Sequence, residues 1–126
     1  MADRKINITA GSVKLAGTLN GSETANMIWD ILPIKASAGV WGDEVYFRTS
    51  LNAREAQDSQ EVVEMGAIAY WPPGQALCFF FGPTPMSEGD EIRPSSPVNV
   101  LGMVDGDATM LKKVRVGETV VVERVP

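Results

Sequence analysis

The segment AIAYWPPGQALCFFFGPTP, Ala67 to Pro85, constrains the fold of this chain more than any other. Two runs of strand-favouring apolar residues flank a Pro-Pro-Gly step, which is the pattern of a buried β-hairpin. Pro73-Gly74 suits the central positions of a type II turn, because Pro fixes φ and Gly accepts a positive one. Centring the turn there pairs Trp71 with Ala76, Tyr70 with Leu77, Ala69 with Cys78, Ile68 with Phe79 and Ala67 with Phe80. Opposed residues share a face. Ile68, Tyr70, Leu77, Phe79 and Phe81 therefore form one face, bulky throughout and suited to a barrel interior. Ala67, Ala69, Trp71, Ala76, Cys78 and Phe80 form the other, where small residues beside two aromatics leave a depression. That depression either holds a ligand or receives another element of the same domain, and the hairpin alone leaves both readings open. A slip of one residue would exchange the faces.

The rest of the chain reads as short strands around this hairpin. Ile6, Ile8 and Ala10 alternate with polar residues, Gly11-Ser12 turns, and Val13, Leu15, Gly17 and Leu19 return on one face. Ala25, Ile28, Trp29 and Leu32 recur at helical spacing, with Asn20 or Ser22 as the cap and Pro33 as the stop. Ile34, Ala36, Ala38 and Val40 then alternate, and Trp41 to Glu44 supplies turn residues. With Val45 and Phe47 they predict a second hairpin. A polar stretch from Ser50 to Met65 has room for a short strand at Val62-Val63. The segment from Gly82 to Pro97 is rich in Pro, Gly and Ser, and is long for an idle connection. Val98, Val100, Gly102 and Val104 alternate as another strand, Asp107 caps a short helix through Lys113, and Val114 to Val116 and Thr119 to Val125 close the fold. The tally is about eight strands and two helices in a single domain spanning 1–126. This is a mainly β chain with enough strands to close a barrel capped by the helices.

Composition narrows the chemistry. The sequence has no histidine, which removes Ser-His-Asp and Cys-His catalysis and imidazole proton transfer. With Cys78 as the one cysteine, neither an internal disulfide nor a structural zinc site can form, and the thiol reads as a small buried hydrophobe. No metal and no cofactor are expected. The net charge of −5, without a Lys/Arg cluster, argues against nucleic acid. No apolar run approaches the roughly 20 residues of a membrane span. The opening MADRKINIT has no apolar stretch behind its charges, so the expected location is cytoplasmic.

Three stretches carry a resemblance: GDEVYF (Gly42 to Phe47), GAIAYWPPGQALCFFFGPTP (Gly66 to Pro85) and EIRPSSPVNVLGMV (Glu91 to Val104). Through them the chain resembles the cyclophilin-like superfamily, and in particular its small bacterial and archaeal members of uncharacterised function. The resemblance runs over nearly the whole chain. It implies a closed eight-stranded barrel capped by two short helices. It also implies a groove on the outer wall, where true cyclophilins hold a proline-containing peptide, with Phe80 near the aromatic wall and Trp71 beside it. True cyclophilins are matched more weakly, in element order, in CFFFGP and in VNVLGMV with the short helix after it. Their Phe-His-Arg and Gln-Gly-Gly-Asp motifs are absent, and the corresponding stretch, Ile34 to Phe47, holds no arginine. Arg48, Arg54 and Arg93 are the substitutes on offer. Arg48 shares a strand face with Glu44 and Tyr46, and Arg93 lies in the long loop.

Three functions follow. The first is a binding domain whose groove, with Glu44, Tyr46, Arg48, Trp71, Phe80 and Arg93 as candidate contacts, holds a small molecule or short proline-containing peptide. The second is a residual prolyl isomerase using Arg48 or Arg93, or an enzyme with Glu44 or Glu64 as a general base. The third is a homo-oligomer in which a second subunit covers Trp71 and Phe80.

Overall fold

Alternation governs the first hairpin. Ile6, Ile8 and Ala10 on β1 (Arg4–Ala10) and Val13, Leu15 and Leu19 on β2 (Val13–Leu19) are all buried. The register sets Ile8 opposite Leu15 and Ala10 opposite Val13, as their period of two requires. The computed structural model describes residues 4–126. Met1–Asp3, and with them the start of the segment read as lacking a leader, lie outside the described residues.

Helix α1 (Glu23–Ile31) starts at Ser22, whose Oγ accepts from the Ala25 N–H at 3.2 Å. Asn20 is not the cap; its Oδ1 accepts from the Ser22 N–H one step earlier, at 3.0 Å. Ala25 and Ile28 point into the core, and Leu32 joins them just past the last turn. Trp29 joins this face but is only partly buried. It packs at the core's rim under two guanidinium groups, with Arg124 4.6 Å and Arg4 5.6 Å from the ring centroid. Arg124 also donates to the Trp29 carbonyl at 2.6 and 3.1 Å. A large ring at a rim gains from this cation–π contact what it would lose by overpacking the interior.

The barrel closes through one bent strand. β3 (Ile34–Ser37) and β4 (Gly39–Val40) are separated by Ala38 alone. β3 pairs with β9 (Thr119–Arg124), whereas β4 pairs with β5 (Glu44–Arg48). The second hairpin predicted from the sequence is thus confined to Gly39 and Val40. At the bend the Ala38 N–H donates to the Glu118 carbonyl and the Gly117 N–H donates to that of Ala38, both at 2.8 Å. With β6 (Ala67–Trp71), β7 (Ala76–Phe80) and β8 (Asn99–Asp105), the sheet order is β3-β9-β1-β2-β8-β6-β7-β5-β4. Every pairing in it is antiparallel. Nine strands are distinct, and counting β3 and β4 as one bent strand gives the expected eight around a nearly closed barrel.

Three expectations fail locally. The alternation read through Val98, Val100, Gly102 and Val104 breaks at a bulge, because Ile68 opposes Gly102 while Ala69 opposes Val100. Leu101 is the extra residue and turns into the main core with Val104, while Val98 and Val100 join the outer face. Val62-Val63 makes no strand, only an isolated bridge from Val63 to Ile92. Val114 to Val116 forms no ladder; it connects the 3-10 helix Ala108–Lys113, capped by Asp107 Oδ1 on the Thr109 N–H at 3.0 Å, to β9.

The main core fills the barrel with Phe47, Ile68, Tyr70, Leu77 and Phe79 at its centre, the Phe47 and Phe79 rings 6.0 Å apart. The Tyr70 hydroxyl stays satisfied there. It donates to the Leu51 carbonyl at 2.6 Å and accepts from the Ala53 N–H at 3.1 Å. Buried Asn99 ties the same segment to α1: its Nδ2 donates to Thr24 Oγ1 and the Arg54 carbonyl, and its Oδ1 accepts from the Ala56 N–H. Among the described residues no helix is long and apolar enough to cross a membrane.

Candidate functional site

The β6–β7 hairpin has the predicted register, from Ile68 opposite Phe79 to Trp71 opposite Ala76. Its turn differs. Pro72–Gly74 is one turn of 3-10 helix, and the left-handed residue is Gln75, at φ +51°, rather than Gly74. Two successive prolines hold φ in the helical range, so the reversal moves one residue on. Gln75 is held there from β5: its carbonyl accepts from the Thr49 N–H at 2.8 Å and from Thr49 Oγ1 at 2.9 Å. Gly74 has a different duty. A Cβ on it would sit 2.5 Å from Trp71 Cζ3, so only glycine lets the indole lie across the turn.

The inward face of the hairpin is the barrel core. The outward face forms a second cluster in which Ala67, Ala69, Ala76, Cys78 and Phe80 pack beneath Val63, Ile92 and Val98. Another part of the same domain therefore docks on that face. The Gly82 to Pro97 loop folds back over it, and a cavity of about 270 Å³ remains between them. The loop is a pinned wall. Trp71 Nε1 donates to Ser96 Oγ at 2.7 Å, the Val63 N–H donates to the Ile92 carbonyl at 2.9 Å, and Gln60 and Val98 exchange backbone bonds at 2.8 and 3.0 Å. Within the loop, Ser87 Oγ accepts from the Thr84 and Arg93 N–H groups, and the Thr84 hydroxyl donates to the Arg93 carbonyl.

Strand β5 supplies the third side. Glu44, Tyr46 and Arg48 stand opposite Phe80, Cys78 and Ala76, which puts all three on the outer face. Glu44 and Tyr46 line the cavity with Trp71 and Phe80. Tyr46 is held by its neighbour strand: a Cβ on Gly39 would come within 2.7 Å of Tyr46 Cε2, so the ring lies flat over a glycine. Arg48 and Arg93 do not line the cavity. Arg48 turns to Gln75 Oε1 at 2.9 Å. Arg93 donates to Glu91 at 2.7 and 3.3 Å and faces a separate shallow depression with Glu61 and Met86. Each arginine finds an acceptor close by in its own segment or the adjoining turn, and neither reaches the cavity. Arg54 lines a different cleft, between α1 and the 52–58 segment, and Glu64 is exposed.

Four cavity residues escape the sequence patterns: Trp41, Pro94, Ser95 and Val98. Trp41 reads as part of a turn. Its size was the available signal, since an indole in a polar turn needs a surface to cover. Pro94, Ser95 and Val98 reach the site only because their loop folds back.

The chemistry centres on Glu44. The residue is only 7% exposed, and burial raises its pKa from 4.5 to about 7, while the neighbouring Cys78 thiol acts the other way. Burial pushes the Cys78 thiol well above its ordinary range, and the neighbouring Glu44 pushes it further. Cys78 is thus a poor nucleophile. Among the described residues no three His, Cys, Asp or Glu side chains converge as a metal site. What the arrangement offers is a half-enclosed apolar cavity with four aromatic walls and one buried carboxyl group that changes charge near neutral pH.

Fold and sequence together place the chain in the cyclophilin-like family, whose model matches residues 4–123. Among solved structures it is similar to the solution structure of a hypothetical protein from Archaeoglobus fulgidus, with 43% identity and a TM-score of 0.82, over 98% of this chain and 95% of that one. No curated protein matches it.

Proposed function

We propose that this cyclophilin-like domain binds a small molecule in the cavity between β5, β7 and the Gly82 to Pro97 loop. The observation that carries the reading is the lining: Trp41, Tyr46, Trp71 and Phe80 around a single buried carboxyl group, Glu44. Apolar walls with a few placed polar groups are what small-ligand sites use. The volume, about 270 Å³, falls just below the roughly 300–1,000 Å³ usual for such sites and suits a compact ligand. An extended proline-containing peptide is the less favoured occupant, because Ile92 and Val98 already cover much of the outer hairpin face. Prolyl isomerisation draws no support from Arg48 and Arg93, which turn to Gln75 and Glu91. A buried, unpaired Cys78 is in keeping with a reducing, cytoplasmic setting.

The test is a fragment titration followed by the indole N–H resonances of Trp41 and Trp71. Binding fragments should move both signals and lose their effect in Trp71→Ala. Ligands that move neither indole, or that bind Trp71→Ala unchanged, would exclude this cavity.

A further inference from the structure

We propose that the ligand class of this cavity is a small organic cation, an alkylammonium group held against the aromatic walls with its charge facing Glu44. This rests on the small-molecule reading above and adds the chemistry of the ligand. Three independent observations point the same way. First, the lining includes Trp41, Tyr46, Trp71 and Phe80, and aromatic rings around a small space can attract a desolvated cation. Second, the ionised form of Glu44 puts a negative charge on the wall, and the lining contains no Lys or Arg. The nearby basic side chains are engaged elsewhere, Arg48 by Gln75 and Arg93 by Glu91 and Glu61. Third, the net charge of −5 makes the surrounding field attractive to cations. A buried carboxylate without a cationic partner is costly. Among the described residues no Lys or Arg pairs with Glu44, and a ligand ammonium would fill that role.

A cation held by Glu44 must bind more weakly as the carboxylate takes up its proton. Glu44 is preceded by Asp43, which lies beside Gly82, and Tyr46 follows on the same strand face. From β7 it faces Cys78, and the covering loop presents only Pro94, Ser95 and Val98 to the cavity.

The experiment compares choline with its neutral isostere, 3,3-dimethylbutan-1-ol, by titration against the Trp41 and Trp71 indole signals. Choline carries a fixed charge, so any pH dependence belongs to the protein. At pH 8 choline should bind about tenfold more tightly than the alcohol. Its affinity should fall about tenfold or more by pH 5.5, while the alcohol's stays flat. Glu44→Gln should abolish the pH dependence and cut the preference for choline to the part that the aromatic walls supply. Equal affinity for the two probes at pH 8, or choline binding that ignores pH, overturns the cation assignment while the small-molecule reading stands. Should Glu44→Gln not fold, the wild-type pH profile still decides. Choline that moves neither indole also overturns it, and the fragment titration then judges the cavity separately.

Discussion

Replacing Glu44 with Gln should make the protein more stable, and only above a defined pH. In the unfolded chain the carboxyl ionises with its ordinary pKa of 4.5, whereas in the fold burial holds the value near 7. Below 4.5 both states carry the proton and nothing is lost. As pH rises from 4.5 to 7 the unfolded state ionises freely while the folded state resists, so stability falls through that window and levels off above it. At about 1.36 kcal/mol per pH unit the gap corresponds to about 3 kcal/mol. Because the carboxyl borders a cavity that admits water, about 2–3 kcal/mol is the working figure. For a chain of this size that is a shift on the order of 10 °C in Tm. Glutamine fills nearly the same space without ionising. Its buried amide has its own cost, but that cost does not vary with pH. The assay is urea unfolding of both proteins at pH 4.5, 6 and 8, comparing midpoints at constant m. Glu44→Gln should gain on the wild type by about 2–3 kcal/mol between pH 4.5 and 8. A difference constant across that range would refute the burial argument. Staying at or below pH 8 keeps the Cys78 thiol mainly protonated in both states.

Three further outcomes follow from the packing. Tyr70→Phe removes a hydroxyl that both donates to Leu51 and accepts from Ala53, so it should cost about 1–3 kcal/mol in chemical denaturation. Gly39→Ala should push the Tyr46 ring off its seat, seen as displaced Tyr46 and Trp41 resonances, while the barrel core signals of Phe47 and Phe79 stay in place. Cys78 should react with a bulky thiol reagent far more slowly in the native protein than in the unfolded chain, because its thiol is buried and its pKa raised.

What was legible in the sequence is whatever period two controls over a short range. The alternating apolar residues of β1, β2, β6 and β7 fixed their faces, and the same alternation put Glu44, Tyr46, Trp71 and Phe80 on one side of the sheet. Features that depend on distant chain segments were not legible. The bulge at Leu101 inverts a face that simple alternation assigns otherwise. Glu44 is buried in a recess whose other walls include Pro94 and Val98 from a distant part of the chain, so its altered acidity cannot be read from β5. Arg48 and Arg93 looked available because a one-dimensional pattern shows charge without showing the acceptor, Gln75 or Glu91, that each side chain finds nearby.

The bend at Ala38 has a bearing on how this protein can meet others. A sheet normally ends in two rows of unpaired backbone groups, and these invite a foreign strand. Here residues 34–40 serve both ends, joining β9 on one side and β5 on the other. The barrel therefore offers no full-length free strand as a template. A second copy of the chain, or a peptide, has to be recognised through side chains and cavities rather than by extending the sheet. A closed edge of this kind disfavours aggregation by strand addition.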